Sequence, residues 1–112
     1  MKLESKVIDT TTIISLKGDL DFKSINEIKE NIYEIYAASE GNALMLDFES
    51  VETIDSAGIG LLVTIYRKVL GSGKDRFGLI NPPKNIKQTL TSSGFTRIAR
   101  IYPSEEEALK VG

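Results

Sequence analysis

Thr53-Ile54-Asp55-Ser56-Ala57-Gly58-Ile59-Gly60 is the stretch on which the reading of this chain turns. A strand end and a loop lead here into a helix, expected from about Asp55 to Leu70. Its apolar content is Ile59, Leu62, Val63, Tyr66, Val69 and Leu70. Asp55 and Ser56 both suit the N-cap, because a short side-chain oxygen can accept from the free N–H groups of a first helical turn. Gly58 and Gly60 are the odd residues. A helical glycine costs about 1 kcal/mol relative to alanine, so two in one first turn need a reason. Close approach by another backbone or another molecule is one. A well-capped helix start with small residues packed under a loop is the plainer reading, and the residues alone leave both open.

Outward from this stretch the chain punctuates itself. Upstream, Lys2–Ile8 and Thr11–Lys17 read as a hairpin turning at Asp9-Thr10 and ending at Gly18. Ile25, Ile28, Ile32 and Ile35 recur at steps of three and four, which predicts an amphipathic helix capped by Ser24. Gly41-Asn42 follows it. Ala43-Leu44-Met45-Leu46 is apolar without alternation, as in a strand buried on both faces. Downstream, Arg67 and Lys68 suit a helix C-terminus, and Gly71 and Gly73 end the helix. Phe77–Ile80 is a further short strand. Pro82-Pro83 opens a helix carrying Ile86 and Leu90 and stopped at Gly94, and Ile98–Tyr102 is a last strand. Ser104 with Glu107 forms a capping box for a short terminal helix that packs Ala108 and Leu109. The expected fold is α/β, one domain over residues 1–112, in the order ββαβαβαβα. It is a mixed sheet with an N-terminal hairpin and about four helices, the later strands parallel with right-handed crossovers.

Composition narrows the chemistry. The 112 residues contain neither cysteine nor histidine, which excludes disulfides, zinc–thiolate sites, thiol nucleophiles and a Ser–His–Asp arrangement. A formal net charge of −2, with Lys and Arg scattered, gives no reason to expect nucleic acid as a partner. No apolar run approaches the roughly 20 residues of a membrane span, and Met1-Lys2-Leu3-Glu4-Ser5 has no signal-peptide character. A cytoplasmic protein with no membrane partner, no metal and no cofactor is expected. Gly71-Ser72-Gly73-Lys74 fails as a phosphate loop, because Lys68 stands where a glycine is required and Asp75 where Ser or Thr is. The aspartates of Gly18-Asp19-Leu20-Asp21 can be read as a magnesium or aspartyl-phosphate site, or as a turn in which Asp21 or Ser24 caps the next helix. Lys23 stands where the haloacid-dehalogenase pattern wants Thr or Val, which favours the turn.

With these residues in place, the chain resembles the STAS domains, and within them the bacterial anti-sigma factor antagonists. Asp55-Ser56-Ala57-Gly58 followed by Ile59-Gly60-Leu61-Leu62 is similar to the family signature. Gly18-Asp19-Leu20-Asp21, Ser93-Gly94-Phe95 and the Ser104–Leu109 helix are similar to its other recurrent segments, in the same order. The resemblance implies a non-catalytic protein that binds an anti-sigma factor serine/threonine kinase and frees a sigma factor. It implies phosphorylation of Ser56 by that kinase, which breaks the complex, and restoration by a PP2C-type phosphatase. The partner-binding surface is then Asp21, Asp55, Ser56, Ala57, Gly58 and Gly60. Two alternatives stand beside it: a scaffold subunit of a stress-sensing or transporter-associated assembly, and a small metal-dependent phosphohydrolase using Asp19, Asp21 and Asp55.

Overall fold

The computed structural model describes residues 1–39, 41, 43–72 and 76–110. Two strands open the chain, β1 (Lys2–Ile8) and β2 (Thr11–Leu20), paired antiparallel from Lys2↔Lys17 to Ile8↔Thr11. Asp9 turns the corner with φ 54°, a left-handed conformation that aspartate tolerates better than most residues. Then follow α1 (Ile25–Ala38), β3 (Ala43–Ile54), α2 (Ser56–Gly71), β4 (Arg76–Ile80) and α3 (Lys84–Ser92). A 3₁₀ turn (Phe95–Arg97), β5 (Arg100–Tyr102) and α4 (Glu105–Leu109) complete it. The sheet order is β1-β2-β3-β4-β5, with every pair after the hairpin parallel. Element order and mixed pairing are those expected from the sequence.

Alternation along the strands divides the interior in two. Ile14, Leu16, Leu44, Leu46, Phe48, Phe77 and Leu79 face one way and meet the buried faces of α1, α2 and α3. Ile13, Met45 and Ile80 face the other way and meet Ala108 of α4. Strands covered on both faces need apolar residues at successive positions, which is why 43–46 lacks alternation. Arg76 fastens α4 by donating to the Ala108 carbonyl (2.8 Å) and the Tyr102 hydroxyl (3.2 Å).

β2 continues through Gly18 to Leu20, three residues past its expected end at Lys17, and four further details differ from expectation, each for a local reason. β3 runs eight residues further than its apolar run, to Ile54, because its second half pairs with the end of β2 through Gly18↔Val51 and Leu20↔Ile54. Only Phe48 and Val51 are buried there, so Glu49, Ser50, Glu52 and Thr53 read as loop. Ser24 does not cap α1 with its side chain; its hydroxyl donates to the Asp19 carbonyl (2.9 Å), and Asp21 instead accepts from the N–H groups of Lys23 (3.1 Å) and Ser24 (3.2 Å). The last strand starts at Arg100 rather than Ile98, because Ile98 and Ala99 both donate to the Phe95 carbonyl in a tight turn after left-handed Gly94. The terminal capping box is half made: Ser104 accepts from the Glu107 N–H (3.1 Å), but the Glu107 carboxylate takes Lys110 (2.9 Å). The helix stop at Gly71 falls where expected, while Asn42, Gly73, Lys74 and Asp75 lie outside the described residues.

Because, among the described residues, α4 is the helix that covers the second face, through Ala108, it is expected to behave as a separable unit. Ala108→Asp is expected to undock it, since a carboxylate in place of this fully buried methyl would have to lose its water among Ile13, Met45 and Ile80. Hydrogen exchange should show α4 amides losing protection while those of β2 and β3 keep theirs. Uniform loss across the sheet would show that the two faces fold as one unit.

Candidate functional site

The parallel pair β2–β3 places Leu20 beside Ile54, so the turn after β2 and the start of α2 meet at one end of the sheet. The Asp55 N–H donates to the Leu20 carbonyl (3.3 Å), which joins the two exits directly. Asp55 stands at the N-cap of α2 in extended conformation, with φ −118° and ψ −175°. One carboxylate oxygen accepts from the Gly58 N–H (2.9 Å) and the other from the Phe22 N–H (3.1 Å). These donors hold the Asp55 carboxyl below the ordinary carboxylate range, with Gly58 contributing most, burial opposing, and Phe22 and Ala57 adding to the lowering.

Asp55 caps the helix, and that leaves Ser56 unoccupied. Ser56 is the first helical residue; it is exposed, and its hydroxyl has no hydrogen bond among the described residues. It sits at the positive end of a 16-residue helix dipole, where an added anion is well tolerated. The two glycines separate in role. A Cβ on Gly58 would lie 2.4 Å from the Leu20 carbonyl oxygen and 2.9 Å from Ile54 Cγ1, so this buried glycine lets the helix approach β2. It supports the site from beneath and offers no outer surface, unlike the expectation that it shapes the contact face. Gly60 is exposed, and a Cβ there would meet nothing within 4 Å. Ala57, between Ser56 and Gly58, is half-buried.

Asp21 is half-buried in the adjacent turn and its carboxylate is occupied by the Lys23 and Ser24 donors. Asp19 accepts from the Thr53 hydroxyl (2.8 Å). The three aspartates that could have served a metal are thus each engaged with protein donors, and among the described residues no three acids gather as metal ligands. Sequence reasoning missed Phe22. The residue is 66% exposed, and its backbone N–H is held by the Asp55 carboxylate. The spacing hid it, because Phe22 lies three residues before Ile25, in step with Ile25, Ile28 and Ile32, and so reads as one more apolar residue of the α1 face.

Two outcomes follow from this geometry. Gly58→Ala is expected to destabilise the fold by about 1–3 kcal/mol, since backbone must shift, whereas Gly60→Ala is expected to stabilise it by up to about 1 kcal/mol; paired denaturant titrations check both. Because the Asp55 pKa is depressed in the folded protein, its stabilising contribution is present above the unfolded carboxyl pKa and is lost as pH falls through the folded one. Asp55→Asn, which keeps a capping oxygen, should lose less stability than the parent on acidification through that window. Parallel acid-side stability curves would contradict the assignment.

Comparison with known proteins agrees with this architecture. A family model described as "STAS domain" matches residues 2–108. A protein of Thermotoga maritima, provisionally named an anti-sigma factor antagonist, is 26% identical over 105 residues, covering 94% of this chain and 92% of that one. The crystal structure of a Thermotoga maritima protein with the same provisional name has a TM-score of 0.87 at 25% identity, covering 96% of this chain and 91% of that one. SpoIIAA of Bacillus in its phosphorylated form has a TM-score of 0.70 at 24% identity, covering 96% of each chain, a likeness of fold. A murine SLC26A9 anion transporter contains the same fold, with a TM-score of 0.82 at 18% identity over 93% of this chain and 18% of that one. By the family match over nearly its whole length, the chain belongs to the STAS domain family.

Proposed function

We propose that this chain is an anti-sigma factor antagonist whose binding surface is centred on Ser56 and switched by phosphorylation of that serine. The observation that carries the reading is the free, exposed Ser56 hydroxyl at the start of α2, with the capping duty taken by Asp55. A serine that capped its own helix would have its oxygen engaged and its replacement would unfold the turn. Here the hydroxyl is available to a kinase, and the fold does not depend on it. The relatives named as anti-sigma factor antagonists support the same reading.

In this reading the partner is an anti-sigma factor serine/threonine kinase, and its sequestration frees a sigma factor. Phe22, Asp55, Ser56, Ala57 and Gly60 form the contact, with Asp21 holding the Phe22 turn from behind. Phosphorylation adds about −1.5 to −2 charges next to the Asp55 carboxylate. The helix N-terminus accommodates them, so the antagonist stays folded. The partner, however, would have to desolvate the dianion, and loss of one central contact removes about 2–4 kcal/mol, or roughly 30- to 1000-fold in affinity. A PP2C-type phosphatase restores the serine. The chain itself performs no catalysis. The transporter-associated alternative rests on likeness of fold alone, whereas the free hydroxyl gives the switch a chemical basis.

The test is calorimetric titration of the parent, Ser56→Ala and Ser56→Asp proteins into the anti-sigma factor kinase of the same genome, with and without ATP. Mass spectrometry locates any phosphate. All three should unfold within about 0.5 kcal/mol of one another, because Asp55 caps the helix. Ser56→Ala should bind as the parent does and keep binding when ATP is added. The parent should gain phosphate at Ser56 and release the kinase, and Ser56→Asp should bind at least about tenfold more weakly. Equal affinity for the alanine, aspartate and phosphorylated forms would defeat the proposal.

A further inference from the structure

The C-terminal end of α2 borders a second surface. An open groove of about 1070 Å³ lies between that end, α3 and β5. Among the described residues its lining holds the basic Arg76, Lys87, Arg97, Arg100 and Lys110 against one acid, Glu107, in a chain whose net charge is −2. Arg76 is engaged with Tyr102 and Ala108, and Lys110 with Glu107. The side chains of Lys87, Arg97 and Arg100 are exposed and have no ion pair or hydrogen bond among the described residues. Leu70 and Ile98, 44% and 42% exposed, lie on the same groove.

The groove also contains a sheet edge. Among the described residues β5 is the last strand and has β4 as its only neighbour in the sheet. The Asn81 N–H donates to the Tyr102 carbonyl (2.7 Å), and in a parallel pair alternate residues bond to the neighbouring strand. Arg100 and Tyr102 therefore address β4, and Ile101 turns its N–H and C=O to the open side. An unpaired edge accepts another strand unless something opposes it. Here the flanking cations oppose a basic strand and favour an acidic one.

We infer that this edge receives an extended acidic segment of a partner protein as an additional strand beside β5. Main-chain hydrogen bonds to Ile101 would set its register, acidic side chains would meet Lys87, Arg97 and Arg100, and apolar ones would meet Leu70 and Ile98. A second copy of this chain does not fit as the occupant. Its β5 edge brings the same cations, and its other edge strand, β1, carries Lys2 and Lys6 against Glu4. The 16 residues of α2 span about 24 Å, so the groove and Ser56 occupy opposite ends of one helix. The inference stands independently of the switch and gives the domain a docking surface that phosphorylation does not reach.

The experiment titrates the full isotopically labelled chain with a short blocked peptide alternating glutamate and valine, and follows amide shifts and hydrogen exchange. The expected result is saturable shifts over Ile98–Tyr102, with exchange at the Ile101 amide slowed at least about tenfold at saturation. The double substitution Arg97→Glu with Arg100→Glu should weaken the peptide about tenfold or more, while Ser56→Asp leaves it unchanged. If the double variant does not fold by circular dichroism, Arg97→Gln and Arg100→Gln, each expected to weaken binding about threefold, decide in its place. The inference is overturned by no shifts, by equal shifts with the same peptide carrying lysine for glutamate, or by shifts centred on residues 20–24 and 55–60. It is also overturned if inorganic phosphate reproduces the shifts without protecting Ile101, which would mark a site for a free anion.

Discussion

The forked hydrogen bonding of Asp55 is the interaction on which the arrangement of the site depends. One oxygen satisfies the Gly58 N–H in the first turn of α2, and the other satisfies the Phe22 N–H, 33 residues earlier in the chain. Backbone N–H groups at a helix start have no intrahelical partner, and those of a tight turn are equally exposed. A carboxylate has enough lone pairs to serve both at once, which a serine hydroxyl in the same place could do only in part. The consequence is a rigid junction between two segments that pairing of Leu20 with Ile54 had already brought together.

That division of labour separates the residues that hold the junction from those left on its outside. Asp55 and the buried Gly58 carry the structural burden, the first through hydrogen bonds and the second through the space it leaves for the Leu20 carbonyl. Ser56, Gly60 and Phe22 stand on the outside, where their chemistry can change without disturbing the core. A helix N-terminus attracts negative charge, so a phosphate on Ser56 is favourable to the helix and unfavourable to a protein that must bury it. A reversible switch has to satisfy both conditions: a modified form that unfolded would be lost rather than restored.

The sheet extends the same economy to the rest of the molecule. Its helix-covered face holds most of the interior, and the opposite face is closed by the short α4, fixed by Arg76 and by the Lys6–Glu105 ion pair (2.6 Å). An exposed ion pair of this kind contributes little, so the buried methyl of Ala108 and the hydrogen bonds of Arg76 hold the helix. The two ends of α2 are left to face outward independently, one near Ser56 and the other at the basic edge of β5.

Local chemistry by itself determined the order of elements, the hairpin, the amphipathic face of α1, the helix start at Asp55-Ser56 and the terminal cap at Ser104, because periodicity and capping are written within a few residues. Local chemistry did not mark Ser56 as a switch, an expectation that rests on the resemblance of the surrounding motif. It left undecided which of Asp55 and Ser56 caps α2 and which of Gly58 and Gly60 is a packing residue. Those answers depend on Leu20 and Phe22, which are distant in sequence and close only after β2 pairs with β3. The same long-range pairing decided that β3 continues through its polar residues 49–53, whose lack of apolar side chains reads as loop until a neighbouring strand supplies their hydrogen bonds. Phe22 and the open edge at Ile101 were invisible for the complementary reason. Exposure and an unpaired edge are properties of what the folded chain fails to cover, and only the complete packing shows what remains outside.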